Sequence, residues 1–172
     1  MTEKEFSFLA LALISYYPKE KNFLPTDEAI ELWYYQLKDL DYKVAEAAIN
    51  KWAATNKWSP TIADIRETAA SITLGELPEW GEAWQEVTKA IKRFGSYRAG
   101  EALKSLSPLT RKAVERLGYM QLCASENIAA DRANFRMIYE QLQQREKQQA
   151  QLPEGLKTLI AQMQQDSKLI EG

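Results

Sequence analysis

Residues 56–67 read Asn56-Lys57-Trp58-Ser59-Pro60-Thr61-Ile62-Ala63-Asp64-Ile65-Arg66-Glu67. Proline disfavours the helical region for the residue before it, so a helix arriving from the N-terminal side ends by Ser59. Thr61 then has the side chain of an N-cap, and Asp64, three residues on, can complete a capping-box-like pair. Ile62 and Ile65 open the next apolar stripe at helical spacing. The stretch is a helix, a corner and a helix. Flanking segments repeat that grammar, and the chain is therefore expected to be all-α.

Upstream, residues 2–17 place Phe6, Leu9, Leu13 and Tyr17 on one stripe, with Ala10 and Ile14 beside it. Pro18 and a charged loop through Asn22 end that helix. A second helix is expected after Pro25, with Thr26 as N-cap, Asp27 and Glu28 at the positive end of the dipole, and Ile30, Trp33, Tyr34 and Leu37 inward. Asp41 caps a third, carrying Val44, Ala45, Ala48, Ile49 and Trp52. The fourth, launched by Thr61, adds Ala69 and Ile72 to its stripe. Four short helices with brief connections make a compact bundle. Trp58 is expected to fold back onto Ile62 or Ile65 as a lid over the corner, with contact to a partner as the alternative.

Downstream of Leu74-Gly75-Glu76-Leu77-Pro78, Trp80, Ala83, Trp84, Val87, Ile91 and Phe94 form an amphipathic helix closed by Gly95. A short helix is expected from Tyr97 to Leu106. Ser107-Pro108 supplies an N-cap and a first-position proline for a helix ending at Gly118. A long helix spans about Asn127 to Gln149, with Ile128, Phe135, Ile138, Tyr139 and Leu142 inward and a glutamine-rich polar end. That end projects into solvent or meets another chain, which makes a homodimer an open option. After Pro153, Leu156, Leu159, Ile160 and Met163 mark one more amphipathic helix. The expected organisation is an N-terminal bundle over 1–76, a second helical region over 77–152 and an amphipathic tail over 153–172.

The chemistry is narrowed by what is missing. Histidine is absent and Cys123 is the single cysteine, so His- and Cys-rich zinc sites, Ser-His and Cys-His nucleophile pairs and internal disulfides are excluded. Cys123 reads as a small core residue, since a reactive thiol needs a nearby cation. Neither GxxxxGK[ST] nor GxGxxG occurs. No cofactor is expected. The longest apolar run, Phe6 to Tyr17, is broken by Ser7 and Ser15 and falls short of the roughly 18 residues of a membrane span. It follows Glu3-Lys4-Glu5 rather than a purely basic start, so the expected location is cytoplasmic.

Residues 1–76 hold 8 Lys/Arg against 12 Asp/Glu, and residues 77–172 hold 14 against 12, balances of −4 and +2 that sum to the overall −2. Global basicity is lacking, but Lys89, Lys92, Arg93, Arg98, Lys104, Arg111, Lys112 and Arg116 crowd three neighbouring segments. They make either a phosphate-holding patch or a solvated face interleaved with Glu86, Glu101 and Glu115.

The run Leu32–Glu67, LWYYQLKDLDYKVAEAAINKWAATNKWSPTIADIRE, has a distinctive order. A Trp precedes a short Leu-Asp-Tyr link, an alanine-rich helix, an aromatic, Pro-Thr and Ile-x-x-Ile. It resembles the phage and prophage replicative-helicase loader/inhibitor family over roughly the first 75 residues. The resemblance implies a non-enzymatic protein with a helical N-terminal domain. Such a protein binds a hexameric replicative helicase in a bacterial cell, holds it inactive, delivers it to an origin-bound initiator and is released. In the founding type the C-terminal portion is flexible in isolation and engages the helicase; its nearest equivalent here is 153–172. On this reading Leu156, Leu159, Ile160, Met163 and Trp58 are the candidate partner contacts. The alternative is a prophage DNA-binding replication or regulatory protein that uses Lys89, Lys92, Arg93, Arg98, Arg111, Lys112 and Arg116. A third class, an enzyme with a concealed carboxylate pair, has no motif in its favour.

Overall fold

The computed structural model describes residues 1–20, 23–24 and 26–170, with side chains through 166. Residues 21 and 22 of the expected loop, Pro25 ahead of the second helix, and the last two residues of the tail lie outside the described residues. Ten helices and, among the described residues, no strand make the chain all-α. They are α1 (Glu3–Tyr16), α2 (Asp27–Leu37), α3 (Tyr42–Thr55), α4 (Ile62–Leu74), α5 (Trp80–Phe94), α6 (Ala99–Ser105), α7 (Pro108–Leu117), α8 (Tyr119–Ala124), α9 (Ile128–Gln151) and α10 (Glu154–Ile170). No helix among the described residues is long and apolar enough to cross a membrane.

The chain divides into two compact units. Met1–Gly75 together with Lys147–Gly172 form the N-terminal unit, and Glu76–Glu146 form the middle unit. In the N-terminal unit the helix starts are set locally. Thr2 and Thr61 each make a reciprocal capping box, with Glu5 and Asp64. Asp41 accepts from the amides of Lys43 and Val44, and Thr26 from that of Ala29. Each such cap contributes about 1 kcal/mol by satisfying amides that lack an intrahelical partner. The core they aim is Phe6, Leu9, Ala10, Leu13, Leu37, Ala45, Ala48, Ile49, Ile65 and Ala69, with Trp33, Tyr34 and Trp52 partly buried against it. Small alanines on α3 let α4 approach closely. Ile14 and Ile72, expected inward, lie at the exposed edge of their helices.

The middle unit closes around Ala83, Val87, Ala102, Leu109, Val114, Phe135 and Tyr139. Phe135 stacks on Tyr139 at 5.6 Å and tilts against Trp84 at 5.3 Å. The Tyr139 hydroxyl donates to the Pro78 carbonyl at 3.0 Å. Burial, with the charges of Glu86, Glu146 and Glu82 behind it, pushes its pKa up to about 12, so it stays a donor at neutral pH. Three sequence expectations are corrected here. Ile128 is exposed because it starts α9 beyond the reach of the core. Tyr97 lies ahead of α6 rather than inside it. Ser107 does not cap α7 through its side chain: its hydroxyl donates to Thr110 Oγ1 while its amide donates to Glu86. Cys123 is half-buried.

Candidate functional site

The corner at 56–61 is held by backbone rather than by the indole of Trp58. Trp52 Nε1 donates to the Trp58 carbonyl at 3.0 Å, and Asn56 Nδ2 donates to the Trp52 carbonyl at 3.2 Å. The Ser59 amide donates to Glu20 Oε1 at 3.0 Å, and its hydroxyl donates to Glu20 Oε2. Those bonds from the Ser59 hydroxyl and amide hold the Glu20 carboxyl below its ordinary range. With Pro60 buried, the turn is fixed at both ends. The Trp58 ring is 75% exposed. The expected lid over Ile62 or Ile65 is therefore not formed: the carbonyl is consumed in the corner, and the ring is left facing solvent.

The polar centre of the N-terminal unit is Arg66, which its sequence neighbours do not single out. It is 5% exposed. Its Nη1 and Nη2 pair with the two carboxylate oxygens of Asp39 at 2.8 and 2.9 Å. Nη1 also donates to the Gln36 carbonyl at 2.7 Å, and Nε donates to the Gln151 carbonyl. Asp39 Oδ2 in turn accepts from the Glu154 amide at 3.1 Å. One guanidinium thus ties the end of α2, the middle of α4 and the α9–α10 junction, all within the same unit. Partial desolvation raises the Asp39 pKa. The bonds from Arg66 and the Glu154 amide, together with the guanidinium charge, outweigh it and leave the carboxyl below its ordinary range. Beside the pair is a cavity of about 330 Å³ lined by Asp39, Asp41, Val44, Ala69, Ala150 and Lys157 among others.

The N-terminal unit also carries several exposed large apolar side chains. Phe8 and Leu11 on α1, Leu32 and Tyr35 on α2, and Trp58 at the corner are all exposed. Helix α1 is apolar nearly all round, which suits a helix with neighbours on more than one side. Helix α10 behaves similarly. Leu156, Leu159 and Met163 are 40%, 52% and 63% exposed, whereas Ile160 and Lys157 are half-buried. The tail is held at its first turn by Arg66 and Asp39 while most of its apolar stripe stays available.

In the middle unit the basic residues sort into two groups. Arg111 is paired with Glu115 at 2.8 Å, and Lys112 reaches Glu146 at 4.0 Å. Lys89, Lys92 and Arg93 occupy the outer face of α5 without a carboxylate partner among the described residues, and Arg116 is likewise exposed and unpaired on α7. Arg98 has only a 3.6 Å approach to Glu101. Among the described residues no group of three or more Cys, Asp or Glu side chains is placed to hold a metal ion.

Residues 1–66 match the family model for the N-terminal domain of the phage helicase loader/inhibitor gp39P family, so this segment is similar to that domain. The match takes in α1 to α3, the corner and α4 as far as Arg66 itself. No curated protein and no solved structure matches the chain.

Proposed function

We propose that the chain is a non-enzymatic adaptor of phage or prophage DNA replication that binds a hexameric replicative helicase, restrains it and hands it to an initiator. The observation that carries this reading is the match of residues 1–66 to the N-terminal domain of the helicase loader/inhibitor family. The exposed apolar stripe of α10 supports it, because Leu156, Leu159 and Met163 recur at helical spacing and suit a helix-in-groove contact. The sequence carries no phosphate-binding loop, so restraint and delivery draw on binding energy alone. Such an adaptor shifts its partner's equilibrium only by its differential affinity for the partner's states, about tenfold for each 1.4 kcal/mol.

The test is direct. Purified chain is mixed with the replicative helicase of its host or phage, with and without ATP, and complex formation, ATPase rate and unwinding rate are followed. A stable complex whose affinity depends on nucleotide, together with a changed ATPase or unwinding rate, is the expected result. Absence of both a complex and a rate change overturns the proposal.

A further inference from the structure

The turn between α5 and α6 combines four features. Tyr97 is 100% exposed, so its ring buries nothing within the chain. The guanidinium carbons of Arg93 and Arg98 each lie 5.1 Å from the centroid of the Phe94 ring. Lys89, Lys92 and Arg93 are spaced so that all three share the outer face of the last two turns of α5. Residues 89–116 hold eight Lys/Arg against two Asp/Glu, Glu101 and Glu115, in a chain that is acidic as a whole. Lys92 and Arg93 also complement the negative end of the α5 dipole, but that accounts for neither Lys89 nor the exposed tyrosine.

The turn is also built to hold its shape. Gly95 ends α5 at φ +57°, a conformation that side-chain-bearing residues rarely adopt. The buried Tyr119 hydroxyl donates to the Gly95 carbonyl at 3.1 Å, and Arg98 Nη2 donates to the Arg93 carbonyl at 3.0 Å. The aromatic and the cations are thus displayed on a fixed frame rather than on a loose loop.

We propose that this turn is a contact site for single-stranded nucleic acid, with Tyr97 as a stacking platform for an unpaired base and Lys89, Lys92, Arg93 and Arg98 tracking the adjacent phosphates. A base has an open face for stacking only where the strand is unpaired, and cations beside an exposed ring are the arrangement that sequence-tolerant single-strand binders use. Duplex DNA keeps its bases stacked and offers Tyr97 nothing beyond backbone charge. The site lies wholly in the middle unit, outside residues 1–66, and stands independently of any helicase contact.

The experiment is fluorescence anisotropy of a labelled oligothymidylate of about 20 nucleotides with the full chain, against a duplex of equal length, over a salt series. Single-strand preference is expected, with log Kd rising against log salt at a slope of about 3, as four phosphate contacts at about 0.7 each require. Tyr97→Ala is expected to weaken single-strand binding about tenfold while Tyr97→Phe stays within about twofold. The double variant Lys92→Glu/Arg93→Glu is expected to abolish it. None of these side chains belongs to the buried core, and circular dichroism verifies folding. No binding at low salt overturns the proposal. So does equal affinity for duplex and single strand with Tyr97→Ala neutral, which is unspecific attraction. A third overturning outcome is no nucleic-acid binding while Lys92→Glu/Arg93→Glu removes a protein partner, which makes the turn a protein-docking surface.

Discussion

The two units bury similar apolar cores but differ in the polar groups they enclose and in the side chains they expose. The N-terminal unit buries one arginine, Arg66, against Asp39 at the edge of its core and exposes Phe8, Leu11, Leu32, Tyr35 and Trp58. The middle unit closes over aromatic rings, Trp84, Phe135 and Tyr139, and turns Lys89, Lys92, Arg93 and Arg98 outward. The first arrangement suits an apolar protein partner. The second suits a polyanion. What the contrast teaches is that net charge, −2 for the whole chain, says little about what each face can hold.

The comparison is broken most severely at the aromatic core of the middle unit. Phe135→Ala deletes a fully buried ring and is expected to cost about 4 kcal/mol by urea denaturation followed by circular dichroism. The matching substitution in the N-terminal unit is Arg66→Ala. It leaves Asp39 and the Gln36 and Gln151 carbonyls without their donor, and an expected loss of about 3 kcal/mol comes with faster protease cleavage within residues 147–166. A small loss without faster cleavage removes the clamp from the account.

The same clamp gives the N-terminal unit an acid sensitivity. Asp39 has a folded pKa below its unfolded value, so the stability it contributes is full above about pH 4 and is lost as pH falls through the folded value. Wild type should therefore lose more stability between pH 5 and pH 3 than Asp39→Asn does, measured as the shift in urea midpoint. Equal shifts in the two proteins would dissociate Asp39 from the acid response. Thr61→Ala removes the capping box of α4 and is expected to cost about 1 kcal/mol, with Thr61→Ser restoring most of it. Smallest of all, Trp58→Ala should leave stability within about 0.5 kcal/mol, since its ring is exposed and its carbonyl remains. A large loss would mean that the ring supports the corner after all; a loss of helicase affinity alone would assign it to the partner.

Several of these elements are legible in the order of residues alone. The corner at Pro60, the caps at Thr26, Asp41 and Thr61, and the inward faces of α3 and α5 all follow from neighbours in sequence. The lid expected of Trp58 fails because spacing cannot tell a ring that packs from one whose backbone is already used by Trp52 and whose next residue is held by Glu20. Arg66 escapes a reading of the sequence altogether. Its one local signal is its place between Ile65 and Ala69 on the inward side of α4, and an arginine there reads as the edge of a polar face. Its partners lie 27, 30 and 85 residues away.

By itself the sequence determined that the protein is all-α, where several of its helices begin, and that it has no histidine and a single cysteine. Those properties depend on short-range backbone preferences and on which side chains exist at all. Only the tertiary structure decided that residues 147–172 group with the first 75, that Arg66 is their fastening, and that Tyr97 stands clear of the core beside a cluster of cations. The physical reason is reach. A cap or a proline acts within one turn of helix, whereas a long-range ion pair and an exposed ring are defined by what the rest of the chain places, or does not place, beside them.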